Sequence, residues 1–191
     1  MSFLKLFLII LCVISFTAHG QSKIKTKDSV DMKTQIEGFY SWYIDVIKND
    51  KSDSAFCPIF IKQADGFTTL DFTLYTSGLR KYRFTEAFIQ KKISEYNGCV
   101  ENLNKIPFDE FSKLKDLSEF EGIDCDFGNR YEWTGGQEPK DKAELVNLKI
   151  VNSKTILGQV SFLSYNKPDG TAKVTFKKLR KDWQIDNIEL E

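Results

Sequence analysis

A change of hydrophobic period partway along the chain narrows the fold more than any other feature. Upstream, Ile36, Phe39, Tyr40, Tyr43, Ile44 and Ile47 recur at the three-and-four spacing of one helical face. Downstream the period is two. Val146, Leu148 and Ile150 alternate with Asn147 and Lys149, and Val160 and Phe162 flank Ser161. Ala172, Val174 and Phe176 alternate with Lys173, Thr175 and Lys177. Strands of this pattern bury one face only. Helices first and an antiparallel meander last define an α+β chain, with N-terminal helices packed on a curved C-terminal antiparallel sheet.

Local signals divide the helical half. The first helix runs from about Val30 and stops in the loop formers Asn49–Ser54. Residues 55–66 carry no clear pattern: Cys57-Pro58 disfavours a helix across it and Asp65-Gly66 marks a turn. The spacing predicts a short helix over Thr69–Leu79, broken near Ser77-Gly78. Thr85 can cap a longer helix whose stripe is Ile89, Ile93, Tyr96, Val100 and Leu103. Pro107 opens another, with Phe108, Phe111, Leu114 and Leu117 at helical spacing. Among the strands, Asn166-Lys167-Pro168-Asp169-Gly170 predicts a hairpin turn. The run Lys177-Lys178-Leu179-Arg180-Lys181 falls at a second, solvated one. A one-residue phase slip at Asp186-Asn187 predicts a β-bulge.

The first twenty residues have the plan of a secretory leader. Lys5 precedes the apolar run Leu6–Phe16, and Ala18-His19-Gly20 is a small-x-small cleavage site. The run is far shorter than the roughly 20 residues of a membrane span. Cys12 lies inside it without the small residues of a lipidation box. The expected organisation is therefore a signal peptide over 1–20, a polar segment over 21–29, and one α+β domain over 30–191. The expected location is periplasmic or secreted, without membrane insertion after cleavage. Cleavage near Gly20 would remove His19, the only histidine. Serine triads, histidine zinc sites and imidazole bases would go with it.

Removing residues 1–20 takes away one lysine and no acid, leaving 26 basic against 27 acidic side chains. Such a balance has no global pull on nucleic acid. Three cysteines remain, Cys57, Cys99 and Cys125. In an oxidising compartment they form one disulfide plus a thiol, or stay as three buried thiols. Cys99 with Cys125 is the favoured pair, because they bracket a short helical segment.

Candidate chemistry concentrates between residues 124 and 133. Asp124 and Asp126 could hold a hard cation or share a proton, but the register of a calcium loop is absent. The alternative is two acids satisfying loop amides. Arg130, Tyr131 and Trp133 offer a carboxylate fork and two flat faces, a lip for a ligand or partner, unless the aromatics are core. Tyr40, Tyr43 and Asp45 carry the residue types of a histidine-free isomerase, yet both tyrosines lie on the apolar stripe. Gly135-Gly136 lacks the context of a phosphate loop and predicts a plain turn. No catalytic residue, metal ligand set or cofactor motif follows from these patterns.

The order of elements, with FYSWYIDVI, LDFTLY, FTEAFIQ, SEYNGC, GIDCDFGNRYEW, KVTFKK and DWQIDNIEL, resembles the cystatin-like cone of the nuclear transport factor 2-like superfamily. More narrowly it resembles uncharacterised secreted bacterial members of that superfamily. The resemblance implies a pocket between the concave sheet and the helices, used elsewhere for isomerases, dehydratases, hydrolases or plain binding. The narrower family often follows Asp-x-Asp with proline; here Asp124-Cys125-Asp126-Phe127 keeps the acids and lacks it. The expected function is non-catalytic binding of a small molecule or protein in the cell envelope, with toxin immunity one such role, by a monomer or homodimer. The competing expectation is a histidine-free cone enzyme acting on a small apolar substrate.

Overall fold

The computed structural model describes residues 24–49, 55–114, 125, 132–136 and 138–191. The expected leader and the polar segment up to residue 23 lie outside them. Helix α1, Thr26–Lys48, carries the predicted stripe: Met32, Ile36, Phe39, Tyr40 and Tyr43 are all buried. It lies across a four-stranded antiparallel meander of β3 (Lys142–Asn152), β4 (Thr155–Ser164), β5 (Lys167–Leu179) and β6 (Asp182–Leu190), ordered β3-β4-β5-β6. Val160, Phe162, Ala172, Val174, Phe176, Trp183 and Ile185 face the helix and are buried. The chain is α+β, with its helices ahead of the sheet.

Four register shifts interrupt the sheet, and bulges bend their strands. Asp186 is the extra residue between the pairs Thr175–Asn187 and Phe176–Ile185, as the phase slip predicted. In β3, Val146 is the extra residue between Leu145 and Asn147. Of the expected inward face Val146-Leu148-Ile150, Leu148 and Ile150 do pack on the core, while Leu145 takes the place of Val146, which is exposed. Glu37 of α1 explains the bulge, since its Oε1 accepts the Leu145 amide at 2.8 Å and draws that backbone toward the helix.

The β4–β5 turn also differs from expectation. It has two residues, Tyr165 and Asn166, both left-handed at φ 52° and 60°, closed by the pair Ser164–Lys167. Such a turn matches the twist of the flanking strands. Pro168 pairs with Leu163, and Asp169 and Gly170 oppose Phe162 as a bulge, with Gly170 at φ 95°. The Pro-Asp-Gly signal marked this bulge and not the turn.

Among the described residues between α1 and the sheet lie a small hairpin and four short helices. Strands β1 (Ile59–Lys62) and β2 (Thr68–Asp71) pair antiparallel, followed by α2 (Thr73–Lys81), α3 (Glu86–Glu95), α4 (Asn97–Leu103) and α5 (Phe108–Phe111). The helix expected over Thr69–Leu79 is thus a strand and then a helix. Thr68 and Leu70 are buried on one side of β2, which a helix from Thr69 would not allow. Gly78 does not break α2 either; a Cβ there would lie 3.0 Å from the Ala55 Cβ, so the glycine permits close approach. Thr85 caps α3 as predicted, its hydroxyl accepting the Phe88 amide at 3.2 Å. The α2 terminus is a Schellman closure with Arg83 left-handed at φ 61°, Phe84 N–H reaching Leu79 O and Arg83 N–H reaching Arg80 O. Arg83 then ties α1 to β6 through Asp31 at 2.9 Å and Asp182 at 3.5 Å.

The main core is aromatic. The Phe39 ring meets Tyr40, Trp42, Tyr43, Tyr82, Phe84 and Trp133, at centroid distances from 5.0 Å (Phe84) to 6.2 Å (Tyr43). A smaller cluster of Leu70, Cys99 and Leu103 with Phe60, Phe111 and Cys125 lies under the β1–β2 hairpin.

Candidate functional site

The segment singled out by sequence is anchored at both ends of its described part. Cys125 is bonded to Cys99 of α4, Cα atoms 4.7 Å apart, which is the favoured pairing. Cys57 is a half-buried free thiol. Asp124, Asp126, Arg130 and Tyr131 lie outside the described residues. Trp133 is described, and it is core: 5% exposed, edge-on to Phe39 at 5.3 Å, beside Phe84 at 6.0 Å and Phe88 at 5.9 Å. Of the two readings left open for Trp133, lip or core, its burial agrees with core. The indole is where the segment re-enters the fold, and its amide donates to the Tyr43 hydroxyl at 3.4 Å.

Above that indole sits a charge cluster that sequence reasoning missed. The Lys92 ammonium of α3 lies 5.0 Å from the Trp133 ring centre and pairs with both Glu95 and Glu132. Its side chain is only 12% exposed. Burial alone would lower the ammonium, but Glu132 and Glu95 outweigh it and hold Lys92 above the ordinary lysine range. The Lys92–Glu95 spacing of three was visible on the helix, whereas Glu132 arrives from forty residues away and carried no local signal.

Tyr75 of α2 belongs to the same neighbourhood. Its buried hydroxyl has no hydrogen-bond partner among the described residues. Burial first, then Glu132, Tyr96, Glu95 and Cys57, push this phenol far above its usual range. Burial also pushes the Cys57 thiol up. The chemistry is therefore quiet at neutral pH: a protonated lysine, a neutral phenol and a protonated thiol. None is an activated nucleophile or base.

The isomerase-type residues of α1 behave likewise. Tyr40 is wholly buried against Phe162 at 5.1 Å, its hydroxyl is unpartnered among the described residues, and burial drives its phenol far upward. Among the described residues no three His, Cys, Asp or Glu side chains converge as a metal site. No helix there is long and apolar enough to cross a membrane.

Among the described residues, two clefts flank the core. One, of about 420 Å³, lies between the C-terminal half of α1 and the start of β3 and is lined by Glu37, Ser41, Ile44, Asp45, Lys48 and Asp141 among others. The second, of about 520 Å³, lies between the start of α3 and the β5–β6 hairpin, where Lys177 pairs with Asp186 at 2.6 Å. Comparison with protein-family models, with curated proteins and with solved structures gives no match for this chain.

Proposed function

We propose that this chain is an exported, non-catalytic binding protein of the cone type, engaging a protein or small molecule through its surface. The observation that carries the reading is the filling of the space between α1 and the sheet. Phe39, Tyr40, Tyr43, Phe84, Phe162, Phe176 and Trp183 are buried there, so side chains occupy the space in which the resemblance implied a pocket. A ring such as Tyr40, packed and neutral, is a structural group and a poor acid or base.

The Cys99–Cys125 bond is compatible with an oxidising compartment, which supports export. It also ties Cys125 to the buried Cys99 of α4. A toxin-neutralising role is one form this binding would take.

The test is fractionation of a bacterial host expressing the whole chain, with mass spectrometry of the purified protein. The reading expects periplasmic or extracellular material beginning at Gln21 and carrying one disulfide. Cytosolic protein with Met1 retained and three free thiols beyond the leader would contradict it.

A further inference from the structure

Three segments far apart in sequence meet at one end of the sheet. The β5–β6 turn, Arg180-Lys181, is closed by the pair Leu179–Asp182. The β3–β4 turn lies against it, the Lys178 amide donating to Lys154 O at 2.9 Å. The first turn of α1 joins them, since Lys178 Nζ stands 3.6 Å from Asp28.

Charge is sorted unevenly here. The acids Asp28, Asp31, Asp182 and Asp186 are each paired, with Lys178, Arg83 or Lys177. Glu86, at the start of α3, is held by Arg80. The remaining cations have no such match. Lys25 and Lys27 at the start of α1, Lys154, Arg180 and Lys181 are all exposed, and none has an ion-pair partner among the described residues. The whole chain holds 27 basic and 27 acidic side chains, so its balanced total conceals a basic end.

Each of the three segments also exposes an aliphatic side chain beside its cations. Val30 is 59% exposed, Val151 53% and Leu179 44%. Val30 shares a helical face with Lys27, three residues before it. Leu179 stands between Lys178 and Arg180, and Val151 begins the turn that carries Lys154. Single exposed aliphatic residues are ordinary, but three of them interleaved with unmatched cations form a surface of two chemistries.

We propose that this end docks peripherally on a bilayer displaying anionic headgroups. The unmatched cations meet lipid phosphates, and Leu179, Val30 and Val151 enter the headgroup–acyl boundary. Lysine and arginine suit this position, because their stems lie along apolar surface while their charged heads reach out to the phosphates. A nucleic acid or soluble polyanion would use the cations and gain nothing from the aliphatic groups, so the combination favours the bilayer. Export determines which membrane this end would meet, and to that extent the proposal rests on the reading above.

The whole chain, as its host processes it, is mixed with extruded vesicles of phosphatidylcholine alone or with about 30% phosphatidylglycerol, and pelleted. Mass spectrometry of the same sample tests export separately. The expected result is partition onto the anionic vesicles alone, weakening about tenfold or more between about 0.05 and 0.5 M salt. Each cation near the surface strengthens partition about fivefold, so Lys154→Glu with Lys181→Glu should weaken it about twentyfold or more. Lys105→Glu with Lys113→Glu, the same charge change at the two ends of the α4–α5 segment, should leave it within about twofold. Leu179→Thr should weaken it about threefold. All five positions are exposed, and unchanged circular dichroism and melting temperature would show that no variant acts by unfolding. Equal partition onto both vesicles, equal loss in the two charge-reversed pairs, or indifference to Leu179→Thr would overturn the proposal. So would binding to soluble polyphosphate with no vesicle binding.

Discussion

The Lys92 ammonium rests 5.0 Å from the centre of the Trp133 ring, with Glu95 and Glu132 closing around it. One buried cation thus serves an aromatic face and two carboxylates. Removing it leaves two acids beside a buried indole. Breaking a buried pair costs about 3–5 kcal/mol, and the partial exposure of Glu95 and Glu132 reduces this. Lys92→Met should therefore cost about 2 kcal/mol in urea denaturation, and adding Glu95→Gln and Glu132→Gln should recover most of it. A Lys92→Met protein of unchanged stability would show the cluster to be surface decoration.

The Cys99–Cys125 bond closes a sequence separation of 26 residues. Loop-closure arguments put its contribution at about 3 kcal/mol. Cys99→Ser with Cys125→Ser, or full reduction, should lower the denaturation midpoint by the corresponding amount. Cys57→Ser should leave it nearly unchanged, because that thiol is half-buried and unbonded. Cys57, its thiol pushed up by burial, should also react more slowly with a disulfide reagent at pH 7 than an exposed cysteine does.

Gly158 on β4 exists for lack of room. A Cβ there would stand 2.7 Å from Val174 Cγ1, 2.9 Å from Leu145 Cδ1 and 3.1 Å from Phe176 Cε2. Gly158→Ala should cost about 1–3 kcal/mol by overpacking. Chemical denaturation of the single variant checks it, and adding Leu145→Ala should return part of the loss.

Alkali should unfold the protein early. Tyr40 and Tyr75 are held neutral by burial, their phenols raised well above the ordinary value. A raised folded-state group contributes fully below its unfolded pKa and loses that contribution as pH rises. Stability should thus fall from about pH 10 upward, and the raised Lys92 adds to the same limb. Tyr40→Phe deletes a buried hydroxyl that has no hydrogen-bond partner among the described residues, so it should be neutral or stabilising by up to about 1 kcal/mol at pH 7. It should also flatten the alkaline decline, which melting curves from pH 7 to 11 would reveal.

Much of the architecture could be read from side-chain period. The α1 stripe, the inward faces of β4 and β5, the Thr85 cap and the Asp186 bulge all depend on neighbours close in sequence. The errors arose where a distant group intervenes. Val146 turns outward because Glu37, more than a hundred residues earlier, claims the Leu145 amide. The hairpin tip sits at Tyr165-Asn166 because Asp141 and Asp169 hold it, although Pro168-Asp169-Gly170 carries the stronger local turn signal. Trp133 admits both lip and core readings from sequence, with core the favoured one, and the rings of Phe39, Phe84 and Phe88 surround it as core. Lys92 was invisible as a centre because its decisive partner is long-range.

The central claim is that the volume between α1 and the sheet is full, leaving recognition to the surface. Titration with benzene or indole, followed by two-dimensional NMR of core methyls and by melting temperature, tests it most directly. A packed core predicts no saturable shift at Ile36, Val174 or Ile185 and no ligand-dependent rise in melting temperature. Saturable shifts at those methyls, accompanied by such a rise, would reveal an open internal cavity and contradict the account.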